Sequence, residues 1–132
     1  MNDTELERYS RHILLNEFDI VSQEKLSSAT ALMIGCGGLA NACAPILASA
    51  GLGHIIVCDG DTIELSNLQR QFAFTEADIG KHKAEVLKTY LQARNSQIQI
   101  SSIHQFVDET FLHDCLPPCD VIIDCRDNSY TH

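Results

Sequence analysis

The stretch TALMIGCGGLA, residues 30–40, decides the fold class. It begins with an apolar run that predicts a short buried strand. The glycines that follow open a segment of helical composition, LANACAPILASAG, residues 39–51, and Gly51 is the predicted C-cap. A glycine-rich turn between a strand and a helix is typical of nucleotide-binding α/β proteins, where the amino end of the helix faces the ligand.

Predicted strands and helices alternate along the rest of the chain. Further strands are predicted at HIIVCD (54–59), SQIQISSI (96–103) and DVIIDC (120–125). Further helices are predicted in TELERYSRHILL (4–15), at about Gln23–Ser28, at Lys81–Arg94 and in VDETFLHDCL (107–116), before Pro117 and Pro118. This order predicts a Rossmann-like open α/β fold, with a mainly parallel sheet covered by helices on both faces.

The composition narrows the class of protein. The net charge is −9, with 45% hydrophobic and 20% charged residues, which is ordinary for a soluble globular domain. Such an acidic chain argues against a nucleic-acid or anionic-membrane surface. The charged amino terminus is not a signal peptide, and no apolar run approaches the ~20 residues of a membrane span. We therefore expect a cytoplasmic protein with its six cysteines as thiols.

The glycine turn and the strand after it predict a nucleotide site. Gly35 and Gly37 permit a tight turn and close approach of a ligand, and Ala40 occupies the third, Gly-or-Ala position. Asp59, at the end of the next strand, can accept hydrogen bonds from ribose hydroxyls. These features suit an NAD-dependent oxidoreductase equally well, and a structural glycine turn is a further alternative.

The stretch SNLQRQFAF, residues 66–74, favours a triphosphate over a dinucleotide. Asn67 and Arg70 are three residues apart and face the same way on a helical turn. Arginine offers a planar fork for phosphate oxygens. Lys83, at the start of its helix, adds a second cation. At the end of the last strand, Asp127 could hold Mg²⁺ and Asn128 could contact the nucleotide.

Simpler interpretations of these residues remain open. Arg70 could pair with Asp59 or Asp61, and Lys83 could belong to a solvated helix face beside Lys81 and His82. HDCLPPC, residues 113–119, provides too few ligands at the wrong spacing for a structural zinc site, so no zinc is expected within this chain.

The motifs resemble the ThiF/HesA/MoeB family, which is related to the ubiquitin-activating enzymes. The resemblance runs through RYSRHILL (8–15), GCGGLA (35–40), DGDTIELSNLQRQ (59–71), GKHKAEV (80–86) and DCRDN (124–128). It implies ATP-dependent adenylation of the C-terminal glycine of a ubiquitin-like sulfur-carrier protein ending in Gly-Gly, of the molybdopterin or thiamin type. It also implies Mg²⁺ and a homodimer.

The resemblance assigns roles to individual residues. Adenosine contacts are implied for Gly38 and Asp59, and triphosphate contacts for residues 66–70 and Lys83. Metal and nucleotide contacts are implied for Asp127 and Asn128. The arginine offered from a neighbouring subunit matches Arg11, which with Arg70 and Lys83 forms the implied catalytic set. The implied ligands are Gly35, Gly37, Gly38, Asp59, Ser66, Asn67, Leu68, Gln69, Arg70, Lys83, Asp127 and Asn128.

The chain departs from the family pattern in length and at four positions. Residues 1–30 are assigned to an N-terminal helical segment and residues 31–132 to a truncated Rossmann-like ATP-binding domain, as in a truncated or split copy. The alternative is a non-catalytic remnant that binds nucleotide or carrier protein or dimerises. Pro45 is expected to weaken or kink its helix. Arg126, beside Asp127, could repel Mg²⁺ or stand in for it. The other two departures are Ala40 and His132.

Overall fold

The computed structural model describes residues 20–126, in which four strands form one parallel sheet. The strands are β1 (Thr30–Ile34), β2 (His54–Cys58), β3 (Gln99–Ile103) and β4 (Val121–Asp124). Their order is β3-β2-β1-β4, and all three neighbouring pairs are parallel. The predicted Rossmann-like fold is confirmed.

The register aligns the carboxyl ends of all four strands. Ile34 lies opposite Cys58 on one side and Asp124 on the other, and Cys58 lies opposite Ile103. The residues that follow these strands, including the glycine turn after β1 and Asp59 after β2, therefore emerge at one edge of the sheet. In open α/β sheets this is the edge where ligands bind.

In the described part of the chain, three α-helices accompany the sheet: α1 (Ile20–Ser28), α2 (Gly38–Ala50) and α3 (Lys83–Arg94). Single 3-10 turns occupy Leu65–Asn67 and Glu76–Asp78, and the predicted helix over 107–116 is one π-type turn, Phe111–Cys115. Among residues 20–126, no helix is both long and apolar enough to cross a membrane. The helix predicted in residues 4–15 lies outside the described residues, and the division of the chain at residue 30 stays a prediction.

The first helix begins at Ile20, three residues earlier than predicted. The starts of β3 and α3 lie later than predicted because side chains and loops form local bonds. The strand β3 begins at Gln99 rather than Ser96, since the Asn95 side chain accepts the N–H of Gln97 at 2.9 Å and makes a turn. The helix α3 begins at Lys83 rather than Lys81, because residues 81–83 pair with residues 61–63.

The helix α2 continues through Pro45 to Ala50. Pro45 therefore does not interrupt the helix, and the expected weakening or kink stays a prediction. The helix ends as predicted at Gly51, whose φ of 96° is left-handed and suits glycine.

The two faces of the sheet are covered unequally. On the first face, α2 and α3 bury Ala40, Ala44, Ala48, Leu87 and Leu91 against alternate strand residues. On the second face, the cover within residues 20–126 is the turn around Phe111, which packs with Leu32, Ile34, Ile56 and Cys58. Val121 and Ile122 of the edge strand β4 stay 46% and 44% exposed.

Candidate functional site

A cavity of about 570 Å³ lies at the carboxyl ends of the strands. Its size is within the range of ~300–1,000 Å³ that is usual for small-molecule sites. Seven of the predicted ligand residues line it together: Gly35, Gly37, Gly38, Asp59, Asn67, Arg70 and Lys83. The structure therefore brings the glycine turn, the acid after β2 and two predicted cations to one cavity.

The glycine turn is fixed by its backbone and by Asp59. Gly35 has φ +92°, and a Cβ there would lie 3.1 Å from the main chain of both Cys125 and Arg126. Glycine is therefore required for conformation and for space. Asp59 Oδ2 accepts the N–H of Cys36 at 2.7 Å, and Oδ1 accepts the N–H of Asp61 at 2.7 Å. Each carboxylate oxygen keeps a further lone pair for a ligand hydroxyl.

Asn41, which the sequence analysis did not select, joins the glycine turn to the SNLQRQFAF stretch. Its Nδ2 donates to the carbonyls of Cys36 (3.0 Å) and Gly37 (2.8 Å), and its Oδ1 accepts the N–H of Ala73 at 2.8 Å. The side chain is 4% exposed. An amide on the otherwise apolar face of α2 was the available signal, since a buried polar group must find partners.

Asn67 shapes its own loop as well as lining the cavity. It is buried, its Oδ1 accepts the N–H of Glu64 at 2.8 Å, and its carbonyl accepts the N–H of Gln71 at 3.0 Å. Its Nδ2 has no acceptor among residues 20–126. This amide is available to a ligand.

Lys83 reaches the cavity because α3 is tied to the loop after β2. Ile63 N–H donates to the Lys81 carbonyl at 2.9 Å, and Lys83 N–H donates to the Asp61 carbonyl at 3.1 Å. Lys83 is only 7% exposed. The alternative that Lys83 lies on a solvated face is wrong; Lys81 is the exposed lysine there, paired with Asp78 at 3.6 Å.

Arg70 and Lys83 form no ion pair within the part of the chain that the structure describes. No carboxylate of residues 20–126 lies within 4.0 Å of either cation. The hydrogen bond that the Arg70 side chain makes in that range is from Nη1 to the Ser66 carbonyl at 3.4 Å. The alternative pairing of Arg70 with Asp59 or Asp61 is therefore not formed. Within this range, Arg70 and Lys83 are thus two cations without a carboxylate partner beside the amino end of α2, an arrangement that favours an anion.

Arg126, in contrast, is neutralised. Its Nε and Nη2 donate to the two Asp124 oxygens at 3.0 and 2.8 Å, and its Nη1 donates to the Val107 carbonyl at 3.3 Å. These hydrogen bonds lower the pKa of Asp124 from its ordinary value. Arg126 lines the cavity, but its charge is engaged by a neighbour on its own strand end.

One buried polar atom in the cavity has no partner. Gln71 is 4% exposed, lines the cavity, and its Oε1 has no hydrogen-bond donor among residues 20–126. Leaving a buried acceptor unpaired costs about 1–3 kcal/mol. A donor on a bound ligand would satisfy it.

Other predicted ligands lie elsewhere or outside the described residues. Leu68 packs against the core, and Ser66 and Gln69 do not line the cavity. Arg11, Asp127, Asn128 and His132 lie outside residues 20–126, so their roles stay predictions. The sequence analysis assigned no role to the lining residues Gln71, Gln105, Phe106 and Val107. The last three follow β3 in a loop that carries no recognisable motif.

The thiols near the cavity are poor nucleophiles. Burial, with a smaller contribution from the nearby Asp59 and Cys43, respectively, raises the pKa of Cys58 and of Cys125 to about 11. Burial, followed by the Asp59 charge, also raises the pKa of Cys36. All six cysteines are free thiols. Thiolate is the reactive form, so these groups serve packing.

The sequence of the chain, which includes these residues at the sheet edge, matches a known family over almost its whole length. The ThiF family matches residues 9–132. The chain belongs to the ThiF family. This confirms the resemblance to the ThiF/HesA/MoeB family that the sequence motifs indicate.

Two curated relatives are adenylyltransferases of Escherichia coli (strain K12). The sulfur carrier protein ThiS adenylyltransferase is 41% identical over 131 residues, which cover 99% of this chain and 52% of the relative. The molybdopterin-synthase adenylyltransferase is 38% identical over 128 residues, which cover 97% of this chain and 51% of the relative. This ThiF-family chain thus spans about half the length of these two relatives.

A solved structure agrees in fold. The crystal structure of E. coli MccB with ATP superposes with a TM-score of 0.82 at 41% identity, covering 92% of this chain and 37% of that one. Likeness to this structure supports the Rossmann-like assignment.

Proposed function

We propose that this chain is the nucleotide-binding part of an adenylyltransferase that uses ATP to activate the C-terminal glycine of a ubiquitin-like sulfur-carrier protein. The observation that carries the proposal is the pair of cations, Arg70 and Lys83, left without carboxylate partners within residues 20–126 beside the glycine turn. The chain has a net charge of −9, so two cations in one cavity without carboxylate partners among residues 20–126 would make that cavity selective for an anion.

The lining suits each part of ATP. The N–H groups at the start of α2, with Arg70 and Lys83, suit the triphosphate. Asp59 suits ribose hydroxyls, because both of its oxygens keep free lone pairs. The unpaired Oε1 of Gln71 would accept a hydrogen bond from a nucleotide N–H or O–H.

The chemistry explains why cations are needed. The carrier's carboxylate oxygen attacks the α-phosphorus, a new P–O bond forms, and the bond to the bridging oxygen breaks with its electron pair leaving on pyrophosphate. Two anions must approach and negative charge grows on the departing group. Arg70 and Lys83 offset that charge in a partly enclosed site, where placed cations are most effective.

Mg²⁺ belongs to the same proposal. Asp127 would hold it, next to the triphosphate, and the ion would neutralise phosphate charge when bound. Within residues 20–126 no group of three or more histidine, cysteine, aspartate or glutamate side chains could hold a metal. A magnesium ion here would therefore depend on Asp127 and on phosphate oxygens.

The carrier protein is proposed on the names of relatives, and the second subunit on the resemblance of the motif that contains Arg11. The relatives named above are adenylyltransferases for ThiS and for molybdopterin synthase. A carrier ending in Gly-Gly, and a homodimer in which Arg11 of a second copy meets the phosphates, complete the proposal.

Calorimetry with ATP and Mg²⁺ tests the proposal. Replacing either cation, in Arg70→Ala or Lys83→Met, should weaken ATP binding by about 10- to 100-fold, because a charged hydrogen bond contributes about 1.5–3 kcal/mol. Lys81→Met is the matched control: it removes the same charge from an exposed site two residues away. Its affinity should stay within about twofold of the parent.

Three outcomes separate this proposal from its alternatives. No ATP binding, or an equal loss in Lys81→Met and Lys83→Met, would contradict it. Binding of NADH in preference to ATP, unaffected by Arg70→Ala, would favour an oxidoreductase. ATP binding without pyrophosphate exchange, when a carrier ending in Gly-Gly is added, would favour the non-catalytic alternative.

A further inference from the structure

Two stacked histidines join the end of β3 to the start of α3. The ring of His104 lies over that of His82, with ring centroids 3.4 Å apart and planes 4° from parallel. His104 belongs to residues 103–107, at the end of β3 and just beyond it, and we call this segment the arm. His82 is the N-cap of α3 and directly precedes Lys83. The stack therefore bridges two segments that border the cavity.

The arm is otherwise held by hydrogen bonds to the strand ends. Asp59 N–H donates to the Ile103 carbonyl at 3.1 Å, and Gln105 N–H donates to the Asp59 carbonyl at 3.1 Å. Arg126 Nη1 donates to the Val107 carbonyl at 3.3 Å. These bonds connect the arm to β2 and β4, whereas the histidine stack connects it to α3.

Neither imidazole is paired with an acid in the described part of the chain. No carboxylate oxygen of residues 20–126 lies within 4.0 Å of a ring nitrogen of His82 or His104. Both side chains are exposed, so protons from solvent reach them. A positive charge on either ring would therefore have no adjacent negative charge to offset it.

Most charged side chains on the segments around the pair are bound to other groups. Glu85 accepts the Ser102 hydroxyl at 2.7 Å, and Lys81 pairs with Asp78 at 3.6 Å. Main-chain N–H groups or Arg126 bind three further acids, Asp59, Asp108 and Asp124. The other charges are Asp61, beside the residue that bridges to His82, and Lys83, which lines the cavity. Imidazoles are the groups that ordinarily change charge between pH 5 and 7.5, whereas aspartate and glutamate ordinarily stay ionised.

The attraction between the two rings depends on the number of protons that they hold. Two neutral rings attract each other by stacking, and one imidazolium over a neutral ring gains a cation–π attraction. Two imidazolium rings in this geometry would place two positive charges about 3.4 Å apart. Charges at that separation repel each other even in water. The stack therefore tolerates one proton and is destabilised by the second.

We propose that His82 and His104 form a proton-operated clasp, which closes the arm onto the start of α3 near neutral pH and releases it when both rings are protonated. Release would free the arm residues Gln105, Phe106 and Val107, which line the cavity, to move away from Lys83. The clasp does not depend on which ligand the cavity binds, because neither histidine lines the cavity.

Hydrogen exchange at the Gln105 amide tests the clasp, measured without nucleotide at pH 7.5 and pH 5 and corrected for the intrinsic effect of pH on exchange. This N–H donates to the Asp59 carbonyl, so its protection reports whether the arm is closed. The open population should rise about five- to tenfold at pH 5, as expected for two like charges in contact in water. The Asp120 amide, which donates to the Thr30 carbonyl at the opposite end of the sheet, should show no change.

Phenylalanine variants separate charge repulsion from other effects of acid, because phenylalanine keeps a flat ring that takes no proton. In His104→Phe only one charge can form, and a protonated His82 attracts the new ring, so the opening at pH 5 should disappear. His82→Phe should behave in the same way. His104→Ala removes the stack and should leave the arm equally open at both pH values. His113→Phe makes the matched change on an exposed turn and should open at pH 5 as the parent does.

Three outcomes would overturn the clasp. They are a parent chain that does not open at pH 5, a His104→Phe variant that opens as much as the parent, and a His104→Ala variant that protects Gln105 as well as the parent at pH 7.5. Thermal melting at both pH values checks that each variant is folded, and His82→Phe tests the same repulsion if His104→Phe is not. Each measurement is made without ATP, so the proposed function stands if the clasp fails.

Discussion

The two sides of the cavity differ in whether their cationic side chains are paired with a carboxylate. On the cationic side, Arg70 and Lys83 have no carboxylate partner within residues 20–126. On the arm side, which contains the arm of residues 103–107 after β3, Arg126 is bound to Asp124 and to the Val107 carbonyl. The exposed group there is the ring of Phe106. The charge available to a ligand is therefore concentrated on one side.

The two sides also differ in how they are held. A buried side chain, Asn41, ties the glycine turn to Ala73 on the cationic side. The arm is tied by main-chain bonds to Asp59 and by the guanidinium of Arg126. Substitutions at Asn41 should thus disturb one side, and substitutions at Asp124 or Arg126 the other.

The largest effect is expected from Asn41→Leu. It leaves the carbonyl of Cys36 and the N–H of Ala73 without their partner, while the Gly37 carbonyl keeps its bond from the main-chain N–H of residue 41. The free energy of unfolding should fall by about 3 kcal/mol. Urea unfolding measures this loss. Hydrogen exchange should speed up at the Ala73 amide and stay unchanged at the Gln105 amide on the arm.

Ala42→Leu provides the control for that comparison. Ala42 is exposed on the same helix, so its replacement should change stability by no more than about 0.5 kcal/mol. Equal losses in the two variants would mean that Asn41 does not hold the cationic side. Faster exchange at Gln105 as well would mean that the two sides are not held separately.

An intermediate effect on stability is expected from the thiols of Cys58 and Cys125, which lie at the carboxyl ends of β2 and β4. Cys58 and Cys125 have a pKa raised by burial to about 11, above the ordinary 9.0. The folded state thus holds these protons more tightly than the unfolded state. Their contribution to stability is complete below about pH 9 and is lost as the pH rises through about 11, at up to about 1.4 kcal/mol per pH unit for each thiol.

Denaturant unfolding at several alkaline pH values measures this slope. The double variant Cys58→Ala/Cys125→Ala is less stable overall but should lose less stability between about pH 9 and 11 than the parent, since lysine and tyrosine titration is common to both. Parallel slopes in the two proteins would contradict the burial of these thiols as protonated groups.

The fold and the cationic side were predictable because local sequence determines them. The strand residues 30–34 and the helix after them follow from apolar runs and glycines, and the aligned strand ends follow from parallel topology. Arg70 and Lys83 meet at this edge for the same reason. Membership of the ThiF family confirms the assignment made from these motifs.

The arm side could not be predicted because tertiary contacts create it. Nothing in HQFVD, residues 104–108, indicates that Phe106 rests on Gly60, more than forty positions away in the sequence. Arg126 was expected to repel Mg²⁺ or to stand in for it, and this stays a prediction because Asp127 lies outside residues 20–126. The pairing of Arg126 with the carboxylate of Asp124, two residues earlier, was not foreseen. Asn41 was missed because helical periodicity identifies a buried face and not the partners of a polar residue on it.

The smallest effect on stability, and an opposite effect on binding, is expected from Asp124→Asn. The paired side chains are 36% and 46% exposed, so the loss should not exceed about 1 kcal/mol. Arg126 lowers the pKa of Asp124 in the folded protein. The parent's greater free energy of unfolding should therefore be complete above the ordinary aspartate pKa of about 3.9, and should disappear as the pH falls through the lower pKa of the folded state.

Freeing Arg126 should also make the arm side cationic and thereby erase the difference between the two sides. Tripolyphosphate affinity should rise several-fold in Asp124→Asn, measured by calorimetry at low ionic strength. Asp114→Asn removes the same charge from an exposed turn and controls for net charge. An equal rise in both variants would show that Arg126 is too far from the phosphates to contact them, whereas a larger rise in Asp124→Asn means that Asp124 normally keeps this arginine away from the ligand.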